Sequence, residues 1–172
     1  ARYIGPNQFG VIEVYLPQLH YAQGAAADTK LSSGQRVIQG TPPLLALTLL
    51  HGTPVYCGAI NFPVVAKAWS VLDRLREPTV DFIGYWDWPW TETLRDRDIH
   101  ASIYRQPSVS VLVVSNLSAR NTGIAIPRSE LDELVPGLQT ARDDMYNWGV
   151  DLDADSLRLS VPAKNFRLIT LE

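Results

Sequence analysis

Ile99-His-Ala-Ser-Ile-Tyr-Arg-Gln-Pro107, with Val111-Leu-Val-Val-Ser-Asn-Leu-Ser118 close behind it, is the stretch on which the fold turns. Residues 99–105 alternate in the two-residue period of a strand with one buried face. The same texture recurs over 109–116, 122–126, 156–161 and 166–171, with Gly, Pro, Asn and Asp in the intervals. Five or more short strands punctuated by turns predict an antiparallel β-sandwich. A short helix over 129–134 interrupts the series, since Ser129 can cap it and Leu131 and Leu134 share a face.

N-terminal to this region the pattern changes, with the break at 75–78. Phe9 to Pro17 is rich in β-branched and aromatic residues and closes on a proline, as a buried strand does. Residues 18–38 read as a long loop. Thr41-Pro-Pro reads as a helix opening, Thr41 as N-cap and proline in the first turn, leading into an apolar run that ends at His51-Gly52. His51 then sits where the helix dipole favours a cation. Thr53 to Gly58 reads as a short buried strand, and Pro63 to Arg76 as an amphipathic helix with Val64, Val65, Ala68, Trp69, Leu72 and Leu75 on one face. Strand, helix, strand, helix implies a parallel sheet covered by helices. Two strands leave its edges unpaired, and a (β/α)8 barrel takes about 250 residues, so residues 1–78 match only its last units. The expected architecture is therefore α/β plus all-β: the C-terminal βα units of an incomplete barrel over 1–78, then a β-sandwich domain over 79–172.

Composition agrees with a folded, soluble chain. Of 172 residues 46% are hydrophobic and 19% charged, with 15 Lys and Arg against 18 Asp and Glu. A chain this long buries roughly 70% of its unfolded surface, which makes a staple by disulfide or metal unnecessary. The net charge of −3 supplies no basic field for a phosphate backbone, so nucleic acid is not expected as a partner. The longest apolar run, Pro42 to Leu50, is about half the roughly 20 residues of a membrane span, and no membrane association is expected. Cys57 is the single cysteine, which leaves redox compartment open and excludes an internal disulfide. The chain begins Ala-Arg-Tyr and its one methionine is Met145, so a processed or truncated start is expected. Localisation is otherwise undetermined, with secreted and periplasmic sites both compatible.

Four stretches resemble the C-terminal end of a glycoside hydrolase in which the last barrel units run into an all-β domain. Leu44-Leu-Ala-Leu-Thr-Leu-Leu-His-Gly-Thr-Pro-Val-Tyr56 resembles a penultimate barrel helix and last strand. Ala66 to Leu75 resembles the last barrel helix, and Phe82-Ile-Gly-Tyr-Trp86 the start of the β-domain. The fourth is Ile99 to Pro107 with Val111 to Ser118 and Pro162-Ala-Lys-Asn-Phe-Arg-Leu-Ile-Thr-Leu171, which is similar to the end of glycoside hydrolase family 123 proteins. The resemblance covers residues 40–172 and implies hydrolysis of glycosidic bonds, with the main catalytic carboxylates outside this chain and a complementary chain or segment completing the barrel. The chain departs from the family pattern in lacking most of that barrel. The rival expectation is a non-catalytic carbohydrate-binding or structural subunit.

Glycosidic cleavage needs carboxyl groups facing one sugar, about 5 to 10 Å apart when there are two. Glu13 shares a strand face with Tyr15 and is the candidate here, either turned to a barrel interior or simply paired or solvated at an edge. Barrel sites are built on loops after the strands. The loop over 18–38 offers His20, Tyr21 and Asp28 beside Gln23 and Lys30, suited to sugar hydroxyls and ring faces, although its Ala and Gly content also suits a plain surface excursion. The loop over 57–62 offers Asn61, with Tyr56 just before it, while Cys57 reads as a small buried hydrophobe. Trp86, Trp88 and Trp90 present either a sugar platform, with Trp88 its centre, or packing where the two units meet. Asp151-Leu-Asp-Ala-Asp155 has the alternation of a calcium loop but Ser156 and Pro162 where that loop needs Gly and Glu, which favours a solvated acidic turn. The three histidines lack metal-pair spacing, and neither a metal nor a cofactor is expected. Asn116-Leu-Ser118 fits a glycosylation sequon.

Overall fold

The computed structural model of the protein describes residues 31–56, 58–75, 80–87, 94 and 98–172. Its elements are α1 (Ser33–Leu50), α2 (Phe62–Leu72), β1 (Asp81–Ile83), β2 (Ile99–Arg105), β3 (Ser110–Asn116), β4 (Thr122–Pro127), α3 (Arg128–Leu134), β5 (Ala141–Asp143), β6 (Asp151–Leu152), β7 (Ser156–Val161) and β8 (Asn165–Leu171). The strand expected over 9–17 lies outside the described residues.

The strands form two sheets, ordered β1-β2-β3-β8-β5 and β4-β7-β6, and every described pairing is antiparallel. Period-two alternation sorts their side chains. Ile99, Ala101 and Ile103 of β2, Leu112 and Val114 of β3, and Ile169 and Leu171 of β8 meet Ile124, Ile126, Leu157, Leu159 and Val161 of the smaller sheet in one core. The opposite face of the larger sheet, through Val111, Val113, Phe166 and Leu168, packs on Leu44, Leu45, Leu49 and Leu50 of α1 and Val65, Ala68 and Val71 of α2. Strands β3 and β8 are thus buried on both sides, which is why they read as apolar runs rather than as an alternation of apolar and polar residues.

Helix α1 corrects the sequence reading twice. It starts at Ser33, so residues 33–38 are helical, and Thr41 is an interior residue instead of the N-cap. The start is a capping box: Gln35 N–H donates to Ser32 Oγ at 3.3 Å, and Ser32 N–H donates to Gln35 Oε1 at 2.9 Å. Pro42 and Pro43 lie inside the helix, where they withdraw the N–H groups that the Ile38 and Gln39 carbonyls would otherwise receive. Thr41 stands beside that gap, donating its hydroxyl to Val37 O at 2.7 Å and accepting Asn61 N–H at 2.8 Å. Only the half after the prolines packs into the core.

The last four carbonyls of α1 lack partners within the helix, and each finds one elsewhere. His51 Nδ1 bonds Leu47 O at 2.8 Å, and the N–H groups of His51 and Thr53 bond Thr48 O at 3.1 and 3.0 Å. Tyr104 Oη donates to Leu49 O at 2.9 Å, and Ser102 Oγ to Leu50 O at 2.8 Å. Gly52, at φ +63°, turns the chain where an added Cβ would meet the Phe82 ring at 3.4 Å.

Among the described residues of the segment expected as a strand over 53–58, only Val55 is bridged; it is buried, and Tyr56 is exposed. Helix α2 closes at Leu72, four residues earlier than its apolar pattern suggests, because Asp73 and Arg74 continue it only as a turn.

Candidate functional site

The loop from 51 to 61 runs from the end of α1 to the start of α2 and presents the two described candidates. Tyr56 is 58% exposed and Phe62, the first residue of α2, is 54% exposed. Asn61 occupies the N-cap position of α2 without a side-chain cap bond, so its amide is not consumed in holding the helix. Its backbone is held instead, through Thr41 Oγ1. Val55 and Ile60 anchor the loop in the helix-side core. Behind it, Thr48, Leu49, Thr53, Val55, Trp69 and Tyr104 line a mainly apolar cleft of about 200 Å³. The loop is therefore fixed at both ends while the Tyr56 ring lies outward and Asn61 is half-buried with its side chain uncommitted to the helix cap, an arrangement that suits contact with a polyhydroxylated ring. Glu13, His20, Tyr21, Asp28, Cys57, Trp88 and Trp90 lie outside the described residues.

Beside this loop the aromatic groups gather at the junction of α1 with the larger sheet. Tyr85 stands edge-on to His51 at 5.4 Å and to Trp86 at 5.1 Å, with His100 at 4.9 Å on its other flank. Phe82 joins Trp86 at 6.1 Å and Tyr104 at 4.8 Å. A carbonyl only accepts, so the bond to Leu47 O puts the His51 proton on Nδ1 and leaves Nε2 to face the Tyr85 hydroxyl at 3.5 Å. Trp86 packs within this cluster. Burial pushes the Tyr104 hydroxyl well above the ordinary phenol range, which keeps it a donor to Leu49 O.

Two further motifs resolve structurally. Asp153 Oδ1 accepts the N–H groups of Asp155 and Ser156, both at 2.8 Å, and Oδ2 accepts from Arg158 at 2.6 Å. These bonds, the backbone ones foremost, hold its carboxyl below the usual range. The acidic alternation is thus an Asx turn leading into β7. Asn116 of the sequon is fully buried and donates its amide to Arg120 O and Val161 O, which leaves it closed to a glycosyl group in the folded chain. Among the described residues no group of three or more His, Cys, Asp and Glu side chains could hold a metal ion, and no helix is long and apolar enough to cross a membrane.

Two polar groupings went unread in the sequence. Arg167 and Asp143 form a buried ion pair at 2.6 Å. Asp81, Arg105 and Ser110 stand side by side across β1, β2 and β3. A strand as short as β1 has no periodicity to reveal its register. For Arg167 there was a signal, because it shares strand parity with Ile169 and Leu171, and a charge on a core-facing row must be paired.

No family model matches the chain, and no curated protein matches it. Solved structures do. A protein from Bacillus halodurans C-125, provisionally named an α-N-acetylgalactosaminidase, is similar at TM-score 0.52 with 8% identity over 76% of this chain and 30% of its own. An Anoxybacillus α-amylase is similar at 0.51, with 13% identity over 85% of this chain and 34% of its own. A GH27 β-L-arabinopyranosidase from Geobacillus stearothermophilus is similar at 0.51, with 9% identity over 76% and 29%. At such identities the likeness concerns the fold, which is one that occurs within glycoside hydrolases. The chain spans about a third of the length of each of these three proteins.

Proposed function

We propose that this chain is the C-terminal portion or subunit of a glycoside-hydrolase-like enzyme that hydrolyses glycosidic bonds. In this reading residues 1–78 supply the last βα units of a (β/α)8 barrel and residues 79–172 a β-sandwich that buttresses them. Family 123 is the family whose terminal segments the sequence resembles. The observation that carries the reading is the fold likeness to three differently named glycosidases, joined to a buried Val55 followed by an outward loop bearing Tyr56 and Asn61. Barrels build their active-site mouths on loops that leave a buried anchor in this way.

The bond is cleaved by protonation of the leaving oxygen and attack by a carboxylate, a water or a substrate amide. The principal carboxylates come from outside residues 1–172, with Glu13 the one candidate within them. His20, Tyr21, Asp28, Tyr56, Asn61 and Trp88 contact the sugar. Cleavage by two carboxyl groups needs no cofactor or metal. Kinetics on aryl glycosides with the assembled protein test this placement. Tyr56→Ala removes a ring-stacking face and is expected to raise KM about tenfold, the equivalent of about 1.4 kcal/mol, and Asp28→Ala to lower turnover. Unchanged kinetics in both variants would refute the placement. Glycan binding with no hydrolysis in the assembled protein would favour a carbohydrate-binding subunit instead.

A further inference from the structure

The larger sheet ends at its β1 edge in a cavity of about 470 Å³, within the range of small-molecule sites and separate from the loop described above. Register explains its polar side. Asp81 pairs with Arg105 and Arg105 with Ser110, so the three side chains project from one face of the sheet in a row. Arg105 Nη2 holds the Asp81 carboxylate, and Nη1 donates to Leu134 O at 3.3 Å. Val80, Pro107, Leu134, Val135 and Pro136 supply the apolar walls. Ser110 is fully buried, lines the cavity, and its Oγ has no hydrogen-bond partner among the described residues. A buried hydroxyl left unbonded costs about 1 to 3 kcal/mol, which a bound partner would recover.

We infer that this cavity is a binding site for a neutral sugar unit. The Asp81–Arg105 pair cancels its own charge, so the mouth draws neither anion nor cation. It still offers carboxylate oxygens to accept from hydroxyls and guanidinium N–H groups to donate to them. The Ser110 hydroxyl meets a ring hydroxyl from below, and the proline and leucine walls cover the C–H face of the ring. None of the residues proposed for hydrolysis takes part, so the inference stands apart from that reading.

The test is saturation-transfer NMR on the full chain, with any companion it is purified with, in a Tyr56→Ala background that blunts the loop mouth. Methyl β-glucopyranoside and methyl α-galactopyranoside are the probes, with glucuronate and glucosamine as charged comparisons. At least one neutral glycoside is expected to bind, about fivefold more weakly in Ser110→Ala and at least tenfold more weakly in Arg105→Met. Ser110→Ala removes only an unbonded buried oxygen, so thermal unfolding of that variant should fall no lower than that of its parent and separate a binding effect from misfolding. Absence of binding by both neutral probes, binding insensitive to both substitutions, or preference for a charged sugar would each overturn the site. Binding that disappears with Tyr56→Ala alone would overturn it too while leaving the proposed active site standing.

Discussion

Asp143 and Arg167 are both almost completely buried, and backbone partners surround the pair. Asp143 accepts the N–H groups of Met145, Tyr146 and Trp148, and Arg167 donates to Ser160, Trp148 and Gly149 carbonyls. Arg167 belongs to β8 and Ser160 to β7, so this one side chain ties the larger sheet to the smaller. Removing either partner strands a charge: Arg167→Met or Asp143→Ala is expected to cost about 3 to 5 kcal/mol in denaturant unfolding, with the double variant less destabilised than the two losses summed. Additive losses would show the pair to be uncoupled. Tyr146 gives a pH prediction, since burial and then the Asp143 charge push its hydroxyl from 10.0 up to about 12. The folded phenol keeps its proton where the unfolded one loses it, so its share of stability is whole below about 10 and lost as pH rises through about 12. Tyr146→Phe is expected to flatten the alkaline fall in unfolding midpoint, leaving the part due to Tyr104; an unaltered slope would contradict the assignment.

At the scale of elements, the strands were legible and the first helix was not. Residues 99–105 and 156–161 form strands with the bounds their alternation predicts, because one face of each must be apolar wherever two sheets share a core. Helix α1 was misread because Thr41-Pro42-Pro43 has the composition of a helix start. The physical start is a capping box of Ser32 and Gln35, nine and six residues upstream of Thr41, on a half-helix too exposed to carry an apolar pattern. Prolines in the interior are tolerated because the following half is clamped, through its last carbonyls, to Ser102 and Tyr104 of β2. Ser32→Ala is expected to destabilise the chain by about 1 kcal/mol, with the effect seen as lost helical circular dichroism ahead of global unfolding. No change in either would show that the first turns of α1 gain nothing from the cap. Short strands such as β1, β5 and β6 escaped sequence reading because two or three residues contain no period.

At the scale of the molecule, α1 and α2 cover one face of the larger sheet and the smaller sheet covers the other. The two-part texture of the sequence is this change from helix cover to strand layers. Candidate site residues were legible only in part: Tyr56, read as part of a buried strand just before a loop, is exposed on the connection between α1 and α2, whereas the row of Asp81, Arg105 and Ser110 is made by strand pairing that no local pattern announces. The central claim is that this chain completes a glycosidase barrel whose carboxylates come from elsewhere. Native mass spectrometry of the purified protein, followed by denaturing mass analysis, tests it most directly. The account predicts a species heavier than this 19.1 kDa chain, containing a companion or continuous segment that carries the remaining barrel strands and their acidic residues. A stable, monodisperse 19.1 kDa species would contradict it.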